Sequence, residues 1–155
     1  MKSRTMLAAS VIAMAALFPL ATHAQHQGQE FFTAQNIKWG TTPSLPGAKF
    51  AVLEGPMNEA KQFIARIQFP DGYKIPPHFH STIEHVTVIS GVFAMGHGEK
   101  FDQAKLTPLR PGDVAIMQPK TPHFAMTTGQ TEVQIHGLGP WTLTYVDAKD
   151  DPRNK

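Results

Sequence analysis

Apolar and polar residues trade places at every second position over 62–69, where Phe63, Ala65, Ile67 and Phe69 alternate with Ile64, Arg66 and Gln68. That is the period of a strand with one buried face, and Pro70-Asp71-Gly72 turns the chain after it. Runs of the same character recur at 78–89, 92–95, 104–109, 113–118, 123–127, 131–136 and 142–146, separated by Gly, Pro, Asp and Asn. Ser90-Gly91 reads as a tight hairpin between the first two of these. Beyond the first 24 residues no stretch sustains apolar spacing of three to four. The pattern predicts an all-β domain, a sandwich or barrel whose interior can hold a ligand.

The two ends read differently. Lys2 and Arg4 precede an uncharged run rich in Ala, Leu, Met, Ile and Val, closed by Thr22-His23-Ala24. A run this short, broken by Pro19 and ending in small residues, predicts a signal peptide over 1–24 that is cleaved, and hence a periplasmic or secreted protein with no membrane anchor afterwards. Residues 25–48 are polar and broken by Gly40, Pro43 and Pro46, yet carry Phe31, Phe32, Ile37 and Trp39. An arm with several aromatics is expected to pack across its own domain or onto a neighbouring subunit. The barrel is assigned to 49–147 and a charged, solvated tail to 148–155.

Composition narrows the partners. The leader carries two of the 14 cationic residues, so the mature chain balances 12 of them against 12 acidic ones. Without net positive charge or a basic run interleaved with aromatics, nothing suggests a nucleic-acid or anionic-membrane surface. The chain has no cysteine, so neither disulfides nor thiolate metal sites are available to it. About 131 residues of the 155 remain after cleavage, enough for a single domain with one core.

Candidate chemistry concentrates at His78, His80 and Glu84. On one strand these positions share a parity, so their side chains would leave by the same face and converge as metal ligands. Histidines in strands also occur as hydrogen-bonded core or surface groups, but burying this trio without partners would be costly. Imidazole and carboxylate together suit a borderline divalent ion: Fe, Mn, Ni, Cu or Zn.

The segment Gly72-x5-His78-x-His80-x3-Glu84-x6-Gly91 resembles, at every fixed position, the first motif of the cupin family. Pro111-Gly112-Asp113, with His123 eleven residues after Gly112, resembles the second. Gln118, Lys120 and Thr127 stand where the family usually has Pro, Gly and Asn, and none of the three is a metal ligand; Pro119 and Pro122 can rigidify that loop in another way. The resemblance covers about 62–146. It implies a cupin-type β-barrel or jelly roll (a double-stranded β-helix) that binds one divalent transition metal through His78, His80, Glu84 and His123. It also implies a small-molecule ligand or substrate, and a homodimer as a common assembly.

Small bacterial cupins include dioxygenases, isomerases, lyases and proteins with no assigned reaction, so fold and metal narrow the chemistry only modestly. The favoured expectation is oxidoreductase chemistry of the dioxygenase type on a small organic molecule, with Glu84 as ligand or as general base. The alternative is a non-catalytic, metal-dependent ligand-binding or sensor module. Of the remaining histidines, His85 is expected to face away from Glu84 and His97 to sit in a loop. His136 is placed either outside or on a polar patch of the cavity wall. Met95, Met117 and Met126 are expected to fill the core.

Overall fold

A computed structural model describes Gly28 and residues 30–155; the predicted leader, 1–24, lies outside these residues. Eight strands are present among the described residues: β1 (Lys49–Glu54), β2 (Gln62–Phe69), β3 (Lys74–His80), β4 (Glu84–His97), β5 (Thr107–Leu109), β6 (Val114–Met117), β7 (His123–Leu138) and β8 (Leu143–Tyr145). Single 3-10 turns at Gln103–Lys105 and Pro152–Asn154 complete the regular structure, and there is no α-helix among the described residues.

The two longest strands, β4 and β7, carry the architecture. They pair antiparallel from His85↔His136 to His97↔His123. Along its other edge β7 pairs with β3 at residues 123–126 and with β2 at 131–138, while β4 takes β6 at 84–87 and β5 at 93–95. A pair this long cannot stay flat under the right-handed strand twist. The antiparallel sheet therefore curls, as in a cupin jelly roll, with β1 outside β2 and β8 outside β3. Its concave side holds Phe63, Phe69, Val86, Val88, Phe93, Val133 and Ile135, all buried.

The alternation over 62–69 appears as anticipated, with Phe63, Ala65, Ile67 and Phe69 inward. Two expectations fail. Ser90-Gly91 is not a hairpin: β4 runs straight through it, and the pairing with β7 shifts register on both sides of Ser90. Inward positions on β4 are even-numbered before this bulge (Glu84, Val86, Val88) and odd-numbered after it (Phe93, Met95). Gly91 has φ +74°, and a Cβ there would run into Thr131 and the carbonyl of Gln130. A left-handed glycine serves a bulge as well as a turn, and the unbroken partner strand β7 decides between them. The runs 123–127 and 131–136 are likewise one strand.

The second failure concerns the ligands. His78 and Glu84 do not lie on one strand, because β3 ends at His80 and β4 begins at Glu84. The Ser81 hydroxyl holds the bend between them, donating to the Pro140 carbonyl (2.8 Å) and accepting from the Thr142 N–H (3.0 Å).

Segments flanking the strands pack against the sheet. Gly40 bridges to Phe50, while Ile37 and Leu45 are buried. At the other end Arg153 donates to the Leu143 carbonyl (3.1 Å) and pairs in a fork with Asp151. Residues 148–155 are otherwise mostly exposed.

Candidate metal centre

His78 and His80 face inward from β3 although two prolines precede them. Pro76 and Pro77 cannot donate to a neighbouring strand, and the pairing of β3 with β7 shifts register between Ile75 and His78. His78 then sits opposite His123 on β7 and Tyr145 on β8. Glu84 enters from the first position of β4, opposite Met117. All four ionisable groups are buried.

Each imidazole is held through Nδ1: His78 to the Pro76 carbonyl (2.8 Å), His80 to that of Thr142 (2.9 Å) and His123 to that of Thr121 (2.9 Å). A carbonyl only accepts, so Nδ1 carries the proton in all three, and in the neutral ring the Nε2 lone pair is left for a metal. One nitrogen from each of the three histidines lies within 4.8 Å of the others, so the trio could hold a metal ion.

Glu84 Oε2 lies 3.2 Å from His80 Nε2 and 3.7 Å from His123 Nε2. Both nitrogens are buried without a hydrogen-bond partner. A carboxylate oxygen facing unprotonated ring nitrogens requires a cation, either a proton or a metal, to offset the repulsion, and that is the fit expected of a metal site.

Burial, with the nearby His123 and His80, pushes the His78 pKa down to about 3. Burial also lowers that of His123, although Glu84 opposes the shift. For Glu84 burial acts upward, but the three histidines, with His80 nearest at 3.2 Å, outweigh it and hold the carboxyl below its usual range. Near neutral pH His78 and His123 are thus uncharged and Glu84 is a carboxylate, the protonation states a divalent ion needs.

The four residues line an interior cavity of about 30 Å³, otherwise walled by apolar groups that include Val86, Phe93, Met95 and Ile135. Such a space has room for little beyond a water molecule. A larger space, about 770 Å³, lies elsewhere: an open groove on the outer face bordered by His85, His136 and Leu138, containing none of the four. His85 and His136 stack there, 4.7 Å between centroids, so His136 belongs outside. Met95 and Met117 are core residues.

Sequence reasoning missed Trp141. Its indole lies flat on the His80 ring, 4.3 Å between centroids and 17° between planes. It follows Gly139-Pro140 in a loop, with no spacing to mark it. Lys120, in the position where the cupin motif usually has glycine, takes φ +57°. Thr127, in place of the usual Asn, ties down the Pro70-Asp71-Gly72 turn by donating to the Pro70 carbonyl (2.8 Å) and accepting from the Tyr73 N–H (2.9 Å).

No protein-family model and no curated protein matches the chain. Solved structures do. The polyketide cyclase RemF from Streptomyces resistomycificus superposes with TM-score 0.65 at 17% identity, over 82% of this chain and 92% of that one. A candidate acetylacetone dioxygenase from Methylibium petroleiphilum gives 0.59 at 18%, over 81% and 85%. An RmlC-like cupin from Shewanella frigidimarina gives 0.55 at 15%, over 81% and 98%. Identities this low establish shape and leave activity open. With its curled sheet closed by the long β4–β7 pair and its histidines turned inward, the chain is a cupin in fold.

Proposed function

We propose that this protein is an exported cupin that binds one divalent transition metal through His78, His80, His123 and Glu84 and oxidises a small organic molecule by dioxygenase-type chemistry. One observation carries the reading: two buried, unpartnered Nε2 atoms face a buried carboxylate inside an apolar cavity. The metal, when bound, would polarise substrate oxygen atoms and support dioxygen chemistry. The carbonyls of Pro76, Thr142 and Thr121 orient the three rings. The apolar wall keeps bulk water out. Glu84, ionised and within reach of the histidines, is the group placed to take or return a proton.

The test has two stages. Untagged protein is assayed for metal by elemental analysis, with melting temperature followed as chelator is added; a metal content far below stoichiometry together with an unmoved transition would reject the centre. Oxygen uptake with catechols, flavonols and β-diketones is then compared between Fe(II)-loaded wild type and His80→Ala, where equal rates would remove the enzymatic claim.

A non-catalytic, metal-dependent ligand-binding or sensor module is the second reading, since the four converging groups suit holding a metal whether or not turnover follows. Such a protein would show saturable, metal-dependent ligand binding without product. The Lys2/Arg4 leader supports export, and N-terminal sequencing of the mature protein after expression with its leader tests cleavage after Ala24.

A further inference from the structure

Two of the three inward imidazoles are oriented by their own stretch of chain. The carbonyls that accept from His78 and His123 belong to Pro76 and Thr121, each two residues earlier. His80 differs. Its Nδ1 acceptor is the Thr142 carbonyl, 62 residues away in sequence, and its ring lies against the indole of Trp141. We propose that the 139–142 loop is a clamp that sets His80 as a metal ligand, with Trp141 and Ser81 as its positioning residues. Metal affinity is then governed by this loop as well as by the four ligands. The inference rests on the metal-centre reading above.

The clamp acts on the plane of the ring. The backbone of His80 is fixed separately, by pairing with Leu143 and by the Lys120 N–H on its carbonyl (2.8 Å). A hydrogen bond at Nδ1 fixes one direction but leaves the imidazole free to swing about it, because χ2 of histidine has a broad minimum. The indole removes that freedom. With 4.3 Å between centroids and 17° between planes, any tilt of His80 breaks the stack. The two contacts together point Nε2 at Glu84 Oε2, 3.2 Å away.

The loop has supports on both sides. Toward the centre, the Ser81 hydroxyl donates to the Pro140 carbonyl and accepts from the Thr142 N–H, stapling the loop beside the histidine it grips. On the far side the Gly139 N–H donates to the Lys61 carbonyl (2.9 Å) and the Trp141 N–H to that of Met57 (2.8 Å). Clearance there is small, since a Cβ on Gly139 would run into the carbonyl oxygens of Glu59 and Met57. Residues 57–61 join β1 to β2 and carry the exposed Lys61–Glu59 ion pair. A line of contacts thus runs from a surface segment through Trp141 to one ligand, the kind of outer support that tunes metal affinity.

The test is isothermal titration of Mn(II) into untagged, metal-free protein, with the visible spectrum of the Co(II)-loaded protein as a second readout. Wild type should bind close to one equivalent. Trp141→Ala, which removes the stack, should weaken Mn(II) at least about tenfold, and Ser81→Ala and Gly139→Ala, which release or displace the loop, about fivefold each. At saturating Co(II) these variants should shift the spectrum toward that of His80→Ala. Trp141→Phe keeps a flat ring over His80 and should hold affinity within about threefold, with a wild-type spectrum. Gly129→Ala, beside Asp71 on β7, also strains the fold and should move neither readout, which separates positioning from general loss of stability. Wild-type affinity in Trp141→Ala and Ser81→Ala, or a Trp141→Phe no better than Trp141→Ala, would overturn the clamp. If Trp141→Ala does not fold, Ser81→Ala and Gly139→Ala decide. A wild type that takes up no metal removes the metal centre and the clamp together, whereas a wild type that binds beside unaffected variants removes the clamp alone.

Discussion

The backbone N–H of Lys120 donates to the carbonyl of His80 over 2.8 Å. A loop residue in the left-handed region is thereby tied to the last residue of β3, between the histidine it bonds and His123 just downstream. A lysine at φ +57° bears a steric cost that glycine would not.

Lys120→Gly should therefore stabilise the protein slightly, by about 0.5 kcal/mol after allowance for the greater freedom of glycine in the unfolded chain. Lys120→Val, branched at Cβ, should destabilise it by about 1–2 kcal/mol. Urea denaturation of the two variants beside wild type checks both signs; a stabilising valine would contradict the account.

Metal binding should raise the melting temperature, because the ion binds the folded state far better than the unfolded chain. At free metal a hundredfold above Kd the gain is about 2.7 kcal/mol. Glu84→Gln keeps the shape and removes the charge facing His80 and His123, and should weaken metal affinity at least about tenfold. Isothermal titration of the two proteins with Mn(II) and Zn(II) reads this directly, and equal affinities would exclude Glu84 as a ligand.

Acid should destabilise the metal-free protein. His78 and His123 have folded-state pKa values below the ordinary 6.5, so below pH 6.5 the unfolded chain takes up protons that the folded protein refuses. Stability from these groups is fully present above pH 6.5 and falls as pH drops, each fully shifted histidine contributing up to about 1.4 kcal/mol per pH unit. For His78 the loss continues down to about pH 3. Glu84, also lowered, acts with the same sign below its usual value of 4.5. Melting temperature measured from pH 8 to pH 4 should be level at first and then decline, more gently in His78→Asn; a transition that rises on acidification would refute the assignment.

Two left-handed glycines separate backbone strain from packing. Gly91 and Gly129 have φ values of +74° and +72°, but a Cβ on Gly91 collides with Thr131 and Gln130, whereas one on Gly129 meets nothing within 4 Å. Gly129→Ala should cost about 1 kcal/mol and Gly91→Ala clearly more, above about 2 kcal/mol. Equal losses in chemical denaturation would mean that the bulge tolerates the added methyl.

The residues of the candidate centre were legible in the linear chain because their spacing is short-range information. His78, His80 and Glu84 lie within one short stretch, whereas His123 entered only through the resemblance to the second cupin motif. Strand β2 was equally plain, since alternation of Phe63, Ala65, Ile67 and Phe69 follows from the period of the backbone itself. The route by which the ligands converge was not. Same-strand parity brings His78 and Glu84 to one face on paper, yet they arrive from β3 and β4, on either side of the Ser81 bend. Local sequence also permits both a hairpin and a bulge at Ser90-Gly91, and only the continuation of β4 along β7 on both sides of it selects the bulge.

What the chain determined by itself is therefore its strand character and the His78, His80, Glu84 trio, both set by residue type and near-neighbour spacing, with His123 added by the family resemblance. The tertiary structure decided what surrounds them: the carbonyls of Pro76, Thr121 and Thr142 that aim the rings, the 30 Å³ limit of the inner cavity, and the stacking of Trp141 on His80. These depend on contacts between segments up to about a hundred residues apart, such as Tyr145 donating to the Ser44 carbonyl. Such contacts come from the closure of the curled sheet, which local periodicity does not encode.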